Sequence, residues 1–138
     1  QALSSVCALV VTDINKPTDK RKLFPLVERN MTPDSHRTQL KQQLRQWHEL
    51  LWGEKVGVNS IDVEVSYSLL LELWQARKAE GGDATWAWDK NEDCELPESW
   101  WEQSSALQNT QAQDPEDMLG AWSSMLVYFM TDFKFLHE

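Results

Sequence analysis

Cysteine is scarce in this chain of 138 residues: only Cys7 and Cys94 occur, and they stand far apart. That usage excludes a disulfide-dense scaffold. No CxxC pair is present, and no His/Cys cluster has the spacing of a zinc site. The absence of CxxCH argues against covalent haem attachment. Glycine is sparse as well. Gly53, Gly57, Gly81, Gly82 and Gly120 fit neither a phosphate-binding loop nor a dinucleotide fingerprint, and there is no GxSxG. Of the three histidines, none belongs to an HExxH, and none has a Glu three residues before it. Di-iron helical bundles need those Glu-x-x-His pairs, so a ferritin-like oxidase is disfavoured. Apolar runs are short, which leaves no segment able to span a bilayer. No motif specifies a reaction, a metal or a cofactor.

Tryptophan and acidic residues, by contrast, are plentiful. There are eight Trp, and net charge is −9. The charge is uneven: residues 1–55 hold nine Lys/Arg against six Asp/Glu, and residues 56–138 hold four against sixteen. An acidic body does not draw nucleic acid or anionic membrane by bulk attraction, although a local basic patch in the first half can. Apolar residues at 41% and charged residues at 25% are those of a globular domain, and the length suits a single one.

Periodicity favours helices. Leu3, Cys7, Val10 and Ile14 recur at helical steps, although residues 7–12 alone would also suit a short buried strand. Pro25 can open a short helix through Met31. Thr32-Pro33 reads as a cap and first turn, after which Leu40, Leu44, Trp47 and Leu51 form one face that stops at Gly53. Asn59 or Ser60 can cap a third helix carrying Val63, Tyr67, Leu70 and Trp74. Residues 61–67 also alternate like a strand, but the helical spacing continues to Lys78. Pro97 can begin a further short helix. Asp114-Pro115 starts a last one, in which Met118, Trp122, Met125, Phe129, Phe133 and Leu136 keep register and other apolar residues fill in around them. The expectation is all-α: an irregular bundle of about four main helices near 3–14, 33–52, 61–80 and 115–137, one or two short helices, and a long acidic loop over residues 81–96. It forms a single domain over residues 1–138. The start at Gln1 and the apolar pattern still running at Glu138 lead us to expect a processed or excised piece of a longer chain.

Four groups of residues carry functional readings. Trp86, Trp88, Trp100 and Trp101 lie in or beside the acidic loop, outside any long apolar stripe. Tryptophan is enriched at binding hot spots, so these are candidate contacts for a protein partner; the competing reading folds them back as a cap on the bundle. Arg37, Lys41 and Arg45 form a basic stripe near His48, which Lys20, Arg21 and Lys22 can extend. It is a site for an acidic partner or a phosphate backbone, or else a face paired with the protein's own acids. Cys7 and Cys94 form one bridge in an oxidising compartment and stay free thiols in a reducing one. His48, at the border of its stripe, reads as a structural histidine. Trp47, Trp74 and Trp122 fall in core registers. The leading function is a non-enzymatic helical module, a subunit or adaptor working through protein contacts. A nucleic-acid-associated subunit using the basic stripe is one alternative. A fragment or subunit of an enzyme whose site cannot be read is the other.

Overall fold

The computed structural model describes the backbone of residues 2–79, 116 and 118–131, and within these the side chains from Val6 onward. Four α-helices account for most of this: α1 Ala2–Ile14, α2 Arg37–Trp52, α3 Ile61–Ala79 and α4 Met118–Thr131. There is no strand among the described residues. Residues 7–12 and 61–67, which would also have suited strands, are therefore helical. The segment after Pro97, the acidic loop with its tryptophans, the Asp114 start and the register beyond Thr131 lie outside the described residues.

α4 is buried nearly all round: Met118, Leu119, Ala121, Trp122, Met125, Leu126 and Phe129 are inaccessible to solvent or nearly so. A helix with that pattern has to sit in the middle of a bundle. It does, packing against α1, α3 and α2, while α2 also packs on α3. Gly120 leaves room for the Arg77 side chain of α3, whose guanidinium a methyl group at that position would meet. Around α4 an aromatic cluster forms from separate elements. Trp47 lies 5.1 Å from Trp122 and 5.4 Å from Phe129, edge to face in both cases. Trp52 stacks on Phe129 at 4.5 Å and donates its indole N–H to the Phe129 carbonyl at 2.9 Å. Trp74 donates to the Glu116 carbonyl at 2.7 Å. Trp52 and Trp74 thus each bury a large apolar area and satisfy their one polar atom, whereas the Trp122 indole N–H is enclosed without a hydrogen-bond partner.

Two expected helix boundaries need correction. Thr32 and Ser35 do exchange side-chain-to-backbone hydrogen bonds in both directions, in the manner of a helix start. Only one turn follows, because His36 takes a non-helical conformation (φ −141°, ψ 49°), and α2 proper begins at Arg37. The short helix expected from Pro25 to Met31 is absent; a 3-10 turn at Thr18–Lys20 occurs earlier instead. The reason lies in the backbone carbonyls. Those of Phe24 and Val27 accept hydrogen bonds from Arg21 Nη1, at 3.4 and 3.1 Å, rather than from the amides four residues on. Other boundaries agree with the spacing. Ser60 Oγ accepts the Val63 N–H at 3.3 Å and caps α3, and Gly53 adopts a left-handed conformation (φ 70°) that closes α2.

Two substitutions in α4 test this packing in opposite directions. Trp122→Ala should cost about 3–5 kcal/mol, since the ring is wholly enclosed. The Ser123 hydroxyl is buried without a hydrogen-bond partner, so Ser123→Ala should raise stability by about 1 kcal/mol. Urea unfolding of the two variants measures both. A loss below about 1 kcal/mol for Trp122→Ala would mean that α4 is not central.

Candidate functional site

The most elaborate arrangement of polar side chains lies at the end of α1. Asp13 is almost fully buried. Its carboxylate accepts three backbone N–H groups: Lys22 at 2.8 Å, Leu23 at 3.0 Å and Phe24 at 2.9 Å. An acid in the last turn of a helix opposes the helix dipole, so its presence there already hints at a tertiary task. Arg21 supplies the complementary half. Its guanidinium donates to the carbonyls of Lys16, Phe24 and Val27 and pairs with Glu28 at 2.9 Å. From α2, Gln43 Oε1 accepts the Leu26 N–H, and the Trp47 indole donates to the Leu23 carbonyl at 2.6 Å. Residues 15–36 have no long helix, yet side chains hold the N–H groups of Lys22, Leu23, Phe24 and Leu26 and the carbonyls of Lys16, Leu23, Phe24 and Val27. The product is the seat of Phe24, which is fully enclosed 5.6 Å from Trp47 and 5.5 Å from Trp122.

The expected basic stripe is resolved residue by residue. Arg37 and Lys41 both lie over the face of Tyr67, at 5.3 and 5.2 Å from the ring centre. Lys41 also forms an ion pair with Glu64 of α3. Arg45 pairs with Glu49 one turn along its own helix, at 3.5 Å. The Lys20-Arg21-Lys22 run divides: the two lysines are exposed, whereas Arg21 is turned inward as described. Much of the stripe's charge is therefore met within the chain. Tyr67 was not singled out by spacing as a partner for these cations; it read only as a core residue.

His48 is buried between Glu54 and Ser66. A carboxylate can only accept, so the imidazole donates from Nδ1 to Glu54 Oε1 at 3.3 Å. The Ser66 hydroxyl has one proton and two acceptors within reach: His48 Nε2 at 2.8 Å and the Asp62 carbonyl at 3.1 Å. The order Ser–His–Glu is that of a hydrolytic triad. Its surroundings do not suit one. Ser66 is 3% exposed and lies within α3, where backbone N–H groups are committed to the helix and none is available for an oxyanion. The arrangement instead ties α2 and the turn after it to α3, while the His48 ring packs edge-on against Trp52 and Phe129. His48 is accordingly a structural residue.

Cys7 is fully buried in α1 and disulfide-bonded. Cys94 and the four candidate contact residues Trp86, Trp88, Trp100 and Trp101 lie outside the described residues. Among the described residues, no group of three or more His, Cys, Asp and Glu could hold a metal ion, and no helix is long and apolar enough to cross a membrane. Ile61 and Val65, one turn apart on the outer side of α3, are 75% and 56% exposed. In comparisons with known proteins, no family, no curated protein and no solved structure matches this chain.

The surroundings of Tyr67 have a consequence at alkaline pH. Burial, the largest effect, pushes its phenol above the ordinary value of 10.0; Arg37 opposes this, and Asp34 and Glu64 add to it. Folding thus favours the protonated phenol. That contribution to stability is complete below 10.0 and is lost as pH rises through the higher folded value. A titration followed by phenolate absorbance, compared with Tyr67→Phe, should place Tyr67 above 10.0. The variant should also lose less stability than the parent at high pH. Ionisation below the ordinary value would contradict the packing described.

Proposed function

We propose that this chain is a non-enzymatic helical interaction module that works through protein contacts as a subunit or adaptor in a larger assembly. The observation that carries this reading is where the reactive side chains are spent. Asp13, Arg21, Gln43, His48 and Ser66 all make bonds that hold the bundle together. Lys41 and Arg45 are engaged with acids of the same chain. Ile61 and Val65 are apolar and exposed, and the acidic segment after α3 carries further tryptophans. On this reading Trp86, Trp88, Trp100 and Trp101 are the partner contacts. A tryptophan buried on a partner contributes a few kcal/mol, and the carboxylates around it mainly set orientation and on-rate.

A nucleic-acid-associated subunit would work through Arg37, Lys41 and Arg45. The internal pairing of Lys41 and Arg45 weakens that alternative. Steep salt dependence of oligonucleotide binding would support it. An enzyme fragment would instead purify with a cofactor or turn over a substrate.

The test replaces Trp86 and Trp88 together by Ser. Photo-crosslinking from position 88 in the native host, with position 75 on the outside of α3 as control, identifies the neighbour of each site. The expected result is one discrete crosslinked protein from position 88 alone. In the double variant, association with that protein should fall while the melting temperature stays nearly unchanged. A double variant that melts much earlier would mean that the rings belong to the core and that the contact surface lies elsewhere.

A further inference from the structure

We infer that Cys7 and Cys94 form an intramolecular bridge that fastens the middle of the tryptophan-bearing segment to α1. Cys7 lies on the buried face of α1, in the same row as Val10, Val11 and Ile14 and without any solvent exposure. It is disulfide-bonded, and no cysteine among the described residues is free. The sequence offers one other cysteine, Cys94. A fully enclosed sulfur in a helix that packs on α4 is a poor target for a second molecule, which argues against a bond between two chains through this residue.

The position of Cys94 gives the bond its meaning. Trp88 lies six residues before it and Trp100 six residues after it. Six residues span at most about 20 Å of extended chain, and the two Cα atoms of a disulfide stand about 5.5–6 Å apart. The bond therefore limits how far Trp88 and Trp100 can stand from α1, to the length of six residues of chain. A segment confined in this way reaches its partner with less ordering left to do. This part of the inference rests on the contact role proposed for the tryptophans; the bond itself does not.

The chemistry is a two-electron oxidation. The thiols of Cys7 and Cys94 lose two protons and two electrons, and an S–S bond forms. A disulfide oxidant accepts them by thiol–disulfide exchange and leaves as a dithiol. Such a bond persists in an oxidising compartment and not in a reducing cytosol.

Peptide mapping of the unmodified chain, made in an oxidising compartment and alkylated before digestion, tests the bond directly. Trypsin should release residues 1–20 joined to residues 91–134, because no Lys or Arg lies between Asn91 and Lys134 and the Lys16–Pro17 bond resists cleavage. The joined species should disappear on reduction. The melting temperature should then fall by on the order of 10 °C. Both cysteines recovered alkylated, or Cys7 joined to another Cys7, would overturn the bond while leaving the tryptophan reading intact. If the bond is found, crosslinking from position 88 is repeated with Cys94→Ser, and helix content is checked by circular dichroism. Loss of the crosslink with helices retained supports the tethering. An unchanged crosslink overturns the tethering but not the contact.

Discussion

Burying Phe24 between Trp47 and Trp122 requires a chain without regular structure to enter the middle of a helical bundle. Backbone amides carried inside in this way must find partners or cost several kcal/mol between them. The Asp13 carboxylate meets that requirement by accepting three consecutive N–H groups, ending at Phe24 itself. The rest follows from that seat. With Phe24 in place, the Leu23 carbonyl lies against the Trp47 indole and the Leu26 N–H against Gln43, so α2 is located by the same loop. Trp47 then meets Trp122 and Phe129, which places α2 on the central helix.

A second polar link acts between α2 and α3, where His48 reaches Ser66 beneath the aromatic rings. Together these two buried networks take up Asp13, Arg21, Gln43, His48 and Ser66 among the described residues. The same logic applies to charge. Lys41 faces Glu64 across the α2–α3 boundary, and Tyr67 lies under two cations. Among the described residues these polar groups are thus directed inward. That is the physical basis for proposing an interaction module.

The helices were legible in the sequence because their signal is periodic. Leu40, Leu44 and Trp47 repeat at helical steps and are wholly buried; the near-continuous apolar surface of α4 marked it as central. The ambiguity at residues 61–67 was settled by length, since Leu70 and Trp74 extend the helical row and are buried with it. The loop was not legible. Asp13 and Arg21 act on backbone atoms up to eleven residues away, a relation with no period and no fixed spacing. For the same reason Pro25 looked like a helix start: its own preference was visible, and the competing claim of Arg21 on the carbonyls was not. The basic stripe was legible as a row on α2, but its pairing depends on α3 lying alongside. The tryptophans proposed as contacts fall outside the described residues, and their role is read from composition.

Amide hydrogen exchange tests the central claim most directly, because it reads the three N–H groups that Asp13 is said to hold. If the carboxylate seats the loop, the amides of Lys22, Leu23 and Phe24 exchange as slowly as those in the middle of α2, such as Leu44. In Asp13→Asn they exchange much faster, while Leu44 remains protected. Exchange of these three amides in the parent protein at the rate of an unstructured peptide would contradict the account, since Phe24 could not then be held between Trp47 and Trp122.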